Sequence, residues 1–391
     1  MLPYIKFNIS TNGLGQSQAD IQKTPGLLIT GVTVTGDNDI VAGEAYQIFS
    51  LQEARDLGIE AVGENKFAYK HIKAFYDYAG ENAELWFMLT TTTMKGALHN
   101  DNEQSFAEKF ISDAAGKIRV LGVAKKAAEG AVTLSGALDK DVIDAVEKAQ
   151  KLADLFAEKY SPFRVVLSGN AFTGNLEELQ DYATSNYNRV SILLSNTDGE
   201  KDASIGLALG RLASTPVQRN IGRVRDGAVE DNAAYFTSTD KVESKSSQWS
   251  AIHEKGYIFL QNYAGRSGFY FSDDVTLTKP TDDFKSLANG FVMDKAVLIA
   301  YDALLEFLKD EVPVNADGTI HPSIIKSWQS AVDTQIRSLM VEPGNLSDVS
   351  VNVNPNQNVV STGKVEVQVA LLPVGYAKYI TVNIGFTTNA E

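Results

Sequence analysis

The chain has 391 residues, and at roughly 150 residues per domain it allows two or three domains with cores of their own. It carries 35 Lys and Arg against 49 Asp and Glu, a formal net charge of -14 that argues against a nucleic-acid or anionic-membrane surface. The absence of cysteine excludes disulfides, thiolate metal sites, iron–sulfur clusters and cysteine nucleophiles.

The N-terminus predicts a strand rather than an export signal. Ile5, Phe7 and Ile9 alternate with polar residues, so they share one face of an extended segment. The segment lacks the basic start and apolar core of a signal peptide, so we expect a chain made in the cytoplasm. A polar stretch over residues 11–24 follows, and it leaves the strand without a local hairpin partner. The partner of this strand is therefore expected to be distant.

Strand and helix patterns alternate through the next two hundred residues. Ser50 and Glu53 have the spacing of a capping box and begin a helix. The order predicts a mostly parallel α/β sheet covered on both faces, and no turn carries a phosphate-binding glycine motif. The further predicted elements are helices over 66–78, 139–160, 176–183 and 205–212 and strands over 83–89, 117–123, 163–167 and 189–195.

The last third predicts one strand, two helices and three runs of alternating apolar residues. The strand covers 257–261, and the helices cover about 283–309 and about 322–340. The last run lies at a chain end, as the first ten residues do. Both termini are therefore predicted to be strands that extend outward from the subunit. The three runs are Val349/Val351/Val353, Val365/Val367/Val369/Leu371 and Ile380/Val382/Ile384/Phe386.

The residue types that carry chemistry do not form a recognisable catalytic or metal motif. Adjacent carboxylates at 273–274 and 282–283 could hold a divalent metal, but loop and helix-cap positions are the favoured interpretation. No catalytic residue, cofactor or metal is therefore predicted. The four histidines are scattered singly and are interpreted as structural or surface residues: His71, His99, His253 and His321.

A basic cluster stands out in this acidic chain. Arg219, Arg223 and Arg225 lie within VQRNIGRVRDG. One interpretation is an exposed or edge strand whose arginines pair with carboxylates of the same chain. The other is a contact with an acidic neighbouring subunit.

Several segments occur in an order that identifies a family. From about residue 210 onward they resemble the contractile tail sheath proteins of phages and phage-tail-like injection particles. Residues 31–36, residues 48–54 and the helix before residues 85–89 are similar, more weakly, to the N-terminal domain of those proteins. The segments that carry the resemblance are 210–227 (GRLASTPVQRNIGRVRDG), 256–276 (GYIFLQNYAGRSGFYFSDDVT), a helix over 291–308, a helix ending at 336–339, and strands over 363–374 and 379–386.

The resemblance implies a multidomain, tail-sheath-like α/β fold, α+β overall. Its inner domain would have a sheet that is completed by the terminal strand arms of neighbouring subunits. The implied division is an N-terminal β arm and linker (1–24), an outer α/β domain (25–255), an inner C-terminal domain (256–373) and a C-terminal β arm (374–391).

The resemblance also implies a structural role rather than an enzyme. Sheath subunits stack as hexameric rings around an inner tube and contract to drive the tube through a target envelope. The implied partners are other copies of the chain, the inner tail tube protein, and baseplate and tail terminator proteins, with no direct nucleic-acid contact and no membrane insertion. Assembly would take place in the cytoplasm of the producing bacterium, for a virion tail or a released particle.

Specific residues follow from this implied role. They are Ile5, Phe7 and Ile9 in the N-terminal arm, Ile380, Val382, Ile384 and Phe386 in the C-terminal arm, Lys326 and Arg337 on a tube-facing helix, and Arg219, Arg223 and Arg225 at a subunit contact.

Two other classes of function stay open at this point. The turns at 168–170 and 195–199 follow strand ends, where ligands of α/β enzymes gather, so a hydrolase or nucleotide-binding enzyme is an alternative. A surface adhesin is a second alternative. Within the sheath interpretation, a phage tail, a bacteriocin-like particle and a type VI-like system all remain open.

Overall fold

The computed structural model describes residues 23–35, 40–128, 130–378 and 380–382. The chain forms two compact units, Met1–Leu298 (unit 1) and Ile299–Glu391 (unit 2).

Unit 1 holds most of the regular structure. Its strands are β1 (Pro25–Thr30), β2 (Ala45–Ile48), β3 (Leu85–Thr90), β4 (Val120–Ala124), β5 (Leu134–Ser135), β6 (Leu138–Asp139), β7 (Arg164–Ser168), β8 (Asn186–Tyr187), β9 (Val190–Leu193), β10 (Ser195–Asn196), β11 (Tyr235–Phe236), β12 (Leu260–Gln261), β13 (Tyr270–Phe271) and β14 (Leu277–Thr278). Its helices are α1 (Leu51–Asp56), α2 (Lys66–Ala79), α3 (Met94–Ala97), α4 (Phe106–Asp113), α5 (Lys140–Glu158), α6 (Ile205–Ala213) and α7 (Trp249–Glu254). Two 3-10 helices cover Val224–Asp226 and Val242–Gln248.

Helix α8 (Leu287–Leu305) crosses the division between the units. Unit 2 then contains α9 (Pro322–Ile336), a π-helical turn (Arg337–Val341), β15 (Leu346–Val353), α10 (Val359–Thr362) and β16 (Val367–Pro373).

A six-stranded sheet forms the centre of unit 1. Its strand order is β2-β3-β1-β4-β7-β9. The five strands from β3 to β9 run parallel, and β2 pairs antiparallel with β3 at the edge. The prediction of a mostly parallel α/β sheet is therefore confirmed, and strand-to-strand connections through helices account for its direction.

Helices cover both faces of this sheet. Gly26 in β1 points toward Phe110 of α4, where a Cβ atom would lie 3.1 Å from the ring. Its neighbour Leu27 pairs with Gly122 of β4. A Cβ atom added at Gly122 would lie 2.6 Å from the side chain of Ile205 on α6. Because adjacent residues of a strand point to opposite faces, α4 and α6 lie on opposite sides of the sheet.

Helices α2 and α6 pack unusually close together. A Cβ atom added at Gly206 would lie 1.9 Å from the carbonyl oxygen of His71, and one at Gly210 would lie 2.9 Å from that of Phe75. The two glycines are four residues apart on one face of α6, so the backbones of the helices meet there without intervening side chains.

One predicted helix is wrong. Residues 176–183 form turns, and two side-chain acceptors explain why: Asn175 Oδ1 accepts from the amide of Glu177, and Asp181 Oδ1 accepts from the amide of Ala183. Such local bonds compete with helical hydrogen bonding. The segment still buries Leu179 and Tyr182.

Unit 1 extends beyond residue 255. Ile258 forms a parallel bridge with Leu193, and Leu277 of β14 pairs with Tyr187 of β8. The division into an outer domain (25–255) and an inner domain (256–373) stays a prediction about assembly, whereas the compact units separate within α8.

We predict that Gly206→Ala destabilises the protein by about 1–3 kcal/mol, because the new methyl group overpacks the contact between α2 and α6. Gly130→Ala is the matched control, since a Cβ there meets nothing within 4 Å. Guanidinium unfolding followed by circular dichroism measures both. Equal midpoints for Gly206→Ala and Gly130→Ala would contradict the close packing.

Candidate assembly interface

Strands β15 and β16 form a separate antiparallel sheet in unit 2. Val349, Val351 and Val353 lie opposite Leu371, Val369 and Val367, and a register shift lies between Leu346 and Asp348. Since alternate residues share a face, these six apolar side chains lie together on one face of the sheet. The predicted run at 349–353 is therefore confirmed as a strand, and the predicted run at 365–371 is confirmed as its partner from Val367 onward, where β16 begins.

Helix α9 supports this sheet. His321 caps the helix and Pro322 occupies its first turn. Ile325 and Trp328 then join Ile320 and Val353 in a buried cluster.

The helix covers the two strands unequally. Val349 is 2% exposed and Val353 1%, and α9 packs on β15. The same face of β16, with Val367, Val369 and Leu371, is only half-buried. The sheet is therefore less covered along β16 than along β15.

The predicted terminal arms lie largely outside the described residues. Ile5, Phe7, Ile9, Ile384 and Phe386 are among these undescribed positions. Ile380 and Val382 are described: they are 78% and 68% exposed, and residues 380–382 belong to no strand. Two apolar side chains of the C-terminal arm are thus presented to solvent.

The two residues predicted to face a tube differ in their surroundings. Lys326 on α9 is exposed, and in the described ranges it forms no ion pair. Arg337 instead pairs with Asp333 Oδ2 and with Asp348 Oδ1, each at 2.7 Å. These contacts tie the end of α9 to β15, and the tube-facing role of both residues stays a prediction.

The arginine cluster is partly neutralised by its own chain. Arg219 and Arg223 lie 3.6 and 2.8 Å from Asp226 Oδ1, on turns and a 3-10 helix rather than the expected strand. Arg225 is exposed, and no ion pair to it is formed by the part of the chain that the structure describes. The carboxylate-pairing interpretation therefore holds for two of the three arginines, and Arg225 remains a candidate contact.

The polar side chains of the two turns that suggested an enzyme form hydrogen bonds within the chain. Ser168 Oγ accepts from the amide of Ala203 at 2.8 Å and lies 2.5 Å from Asn170 Oδ1. Asn196 Nδ2 donates to the carbonyl oxygens of Glu200 and Asp202. Ser168, Asn170 and Asn196 are buried, so these side chains stabilise the turns.

The structure places a lysine and a histidine beside the turn at 195–199, where the sequence analysis did not predict them. Lys70 Nζ lies 2.7 Å from Asp202 Oδ2 and 2.9 Å from Asp198 Oδ2. His71 is buried, its Nδ1 accepts from the amide of Gly206 at 3.1 Å, and its Nε2 lies 3.7 Å from Asp202 Oδ2. The helical spacing of Phe67, His71 and Phe75 indicated a buried face, but not this long-range cluster.

Burial holds the pKa of His71 below its usual value, although Asp202 opposes this effect. The hydrogen bond from Gly206 occupies the nitrogen that would have to take up a proton. The N-terminus of α6 also disfavours a positive charge there. His71 is therefore neutral in the folded protein.

The remaining candidate side chains bond within the chain. His99 contacts Glu108 and Asp101, His253 contacts Asp273, and His321 caps α9. Asp274 accepts from Ser286 and Ala288, and Asp282 accepts from Thr278 and Phe284. Over the described ranges, no three His, Asp or Glu side chains are grouped as a metal site.

The fold is shared with tail sheath proteins of contractile injection systems. A chain of the cryo-EM structure of the anti-feeding prophage (AFP) baseplate is 14% identical, with 99% of each chain covered and a TM-score of 0.62. The PVC sheath complex of an extracellular contractile injection system, in its contracted state, is 14% identical, with 100% of this chain and 98% of that chain covered and a TM-score of 0.58. A sheath tail protein from Listeria innocua is 11% identical, with 90% and 95% covered and a TM-score of 0.50. The tail-sheath-like α/β fold is therefore confirmed.

Family models match nearly the whole chain. The N-terminal domain of DUF2586 matches residues 2–275 and its C-terminal domain matches residues 283–391. The chain belongs to the DUF2586 family. No match was found among curated proteins. In the described part of the chain, no helix is long and apolar enough to cross a membrane.

We predict that His71 makes the protein less stable in mild acid. The unfolded chain binds a proton at His71 below its ordinary pKa of about 6.5, whereas the folded chain resists that proton. Stability from this residue is thus present above about pH 6.5 and is lost as the pH falls below it, by at most about 1.4 kcal/mol per pH unit. Guanidinium unfolding at about pH 8 and about pH 5.5 measures the loss.

His71→Gln keeps an acceptor for the amide of Gly206 and does not titrate, so it should remove this part of the pH dependence. A His71→Gln profile parallel to that of the unaltered protein would refute the assignment.

Proposed function

We propose that this protein is the subunit of a contractile tail sheath. The fold it shares with sheath proteins along nearly its whole length supports the class. The observation that carries the proposal is the two-stranded sheet of unit 2, because its outer edges have no strand partner among the described residues. Such an edge is a template for a strand from another chain.

Terminal arms supply the strands in this proposal. The arm at residues 1–10 and the arm at 374–391 carry three and four apolar residues in alternation. Each side chain buried in a neighbouring subunit would contribute about 1.5–3 kcal/mol before entropy costs. Together with directional backbone hydrogen bonds, this burial would link each subunit to its neighbours. The links would be strong enough to persist while the subunits change position during contraction.

The assembled form would be hexameric rings stacked around an inner tail tube, bounded by baseplate and tail terminator proteins. Contraction would move the subunits as near-rigid bodies while linkers such as residues 11–24 flex, driving the tube through a target envelope. Lys326 and Arg337 are the proposed tube-facing residues. The particle would assemble in the cytoplasm of the producing bacterium, without direct nucleic-acid contact or membrane insertion.

A structural role is favoured over an enzyme. The polar side chains at the turns 168–170 and 195–199 bond to the chain itself, and no observation there favours a substrate. The acidic net charge of -14 fits a subunit that must stay dissolved before assembly.

We predict that deleting residues 1–10 abolishes polymerisation but leaves a folded monomer, since the deletion removes the strand that joins subunits. A triple Ser substitution at Ile5, Phe7 and Ile9 should act in the same way. Its matched control is a triple Ala substitution of the polar face, at Lys6, Asn8 and Ser10. Negative-stain electron microscopy and sedimentation measure the outcome, and normal-length tubes from the deleted chain would argue against strand addition.

We predict that Arg225→Glu raises the protein concentration needed for assembly by about tenfold or more, because the reversed charge repels an acidic neighbour. Arg266→Glu, at another exposed arginine, is the control. Pelleting across a concentration series measures the threshold. Equal thresholds for both variants would remove Arg225 from the interface.

A further inference from the structure

Helix α8 leaves one apolar face exposed. Its other side packs into the interior, where Phe291, Val292 and Ala296 are at most 5% exposed. A helix that is apolar around most of its circumference is normally covered on every side. Residues four apart along a helix share a face. Four such residues, which we call the α8 face, are 36–46% exposed: Met293, Val297, Tyr301 and Leu305.

The α8 face has the form of a contact surface for another protein. Single exposed apolar side chains are common, whereas a continuous row of them marks an interaction site. From Met293 to Leu305 the row extends about 18 Å, at 1.5 Å per residue. Such a row fits a second macromolecule better than a small ligand.

Carboxylates gather where α8 ends. Asp302 lies three residues before Leu305, hence beside the α8 face, and Glu306 follows the last residue of the helix. In the described ranges these two carboxylates form no ion pair. Further exposed carboxylates follow in the next turn. We call this group the acidic segment: Asp302, Glu306, Asp310 and Glu311.

The acidic segment is unfavourable where it stands. The C-terminus of a helix carries a partial negative charge, so acidic side chains there destabilise the helix unless a cation compensates them. The last turn of α8 contains no basic residue. A cationic partner would remove this conflict.

Residues 217–227, which we call the arginine loop, offer such a partner on a fixed support. Arg211 on α6 is 2% exposed, and its guanidinium donates to the carbonyl oxygens of Ile221 at 3.0 Å and Arg223 at 3.1 Å. These bonds hold the loop in place before any partner binds. Less ordering is then lost on binding, which favours association.

The arginines of this loop keep donors for another chain. A guanidinium has five N–H donors. Arg219 and Arg223 both approach the same oxygen, Oδ1 of Asp226, and Arg225 forms no ion pair within the described ranges. Arginine stems also pack on apolar surface, and guanidinium groups stack on aromatic rings such as that of Tyr301.

The two surfaces are therefore complementary in charge and in apolar contact. No ion pair joins them within the described part of one chain. Because the surfaces differ, their contact between two copies is head-to-tail and repeats from copy to copy, as in a ring or a helical polymer.

We propose, on the basis of the sheath function proposed above, that the α8 face and the acidic segment of one copy bind the arginine loop of a second copy of this chain.

Charge reversal tests the pairing, with the protein concentration needed for assembly as the readout and no other particle protein present. Asp302→Lys with Glu306→Lys should raise that concentration by about tenfold or more, as expected for Arg225→Glu. A chain with all three changes should return to within about threefold of the unaltered protein, because the reversed charges attract again. Glu177→Lys with Glu178→Lys, another exposed acidic pair, is the control for net charge and should not restore assembly of Arg225→Glu.

Folding of the reversed chain is checked separately. Lysines at the end of α8 suit the helix dipole, so the thermal midpoint of Asp302→Lys with Glu306→Lys should stay or rise. If it falls, Asp302→Asn with Glu306→Gln takes its place and should raise the assembly concentration by about threefold.

Three results would overturn the proposal. They are a chain with all three changes that assembles no better than Arg225→Glu, an equal restoration by the Glu177 and Glu178 pair, and a loss from the α8 changes that appears only when an inner tube protein is added. The last result would assign the α8 face to the tube. An unaltered protein that forms neither rings nor tubes would instead contradict the sheath function itself.

Tyr301→Ala tests the α8 face apart from its charges. It should raise the assembly concentration by about fivefold or more, because aromatic side chains at the centre of an interface contribute much of its binding. Tyr160→Ala is the matched control, a tyrosine that is 51% exposed elsewhere. Equal assembly of the two variants would overturn the proposal. So would a Tyr301→Ala chain that assembles normally but unfolds more easily than Tyr160→Ala, since the chain's own residues would then cover the face.

Discussion

Backbone N–H and C=O groups at the edge of a sheet need partners, and a sheet of two strands leaves as many of them outward as it pairs inward. Unit 2 is built on such a sheet, β15 with β16. A two-stranded sheet is marginal alone, and here the buried cluster of Ile320, Ile325, Trp328 and Val353 holds it in place. That support lies on one face and leaves the edges unpaired, so the edges are the feature on which the proposed assembly depends.

Unit 1 differs from unit 2, because buried contacts within the unit itself stabilise it. Arg164, buried in β7, donates to both carboxylate oxygens of Asp294 on α8 at 2.8 and 3.0 Å, and its guanidinium also bonds to the carbonyl oxygens of Asn188 and Gly290. Removing one partner of such a pair leaves an uncompensated buried charge, which is strongly unfavourable. The close contact of α2 and α6 adds to this network, and both are consistent with the near-rigid movement of subunits proposed for contraction.

Local signals predicted much of this molecule, and long-range contacts account for what was missed. The alternation of valines fixed β15 and β16, and Ser50 caps α1 as its spacing with Glu53 indicated. The failed helix at 176–183 depends on side-chain acceptors that compete with helical bonding, which propensity alone does not reveal. The Lys70 and His71 cluster joins residues distant in sequence, so only the fold could bring them together.

The central claim is that the β15–β16 sheet is completed by other copies of the chain. A cryo-EM reconstruction of the polymer formed by the purified protein tests it most directly. The account predicts a further strand, from a neighbouring subunit, hydrogen-bonded to an outer edge of this sheet. A polymer in which this sheet keeps only its own two strands would contradict the account.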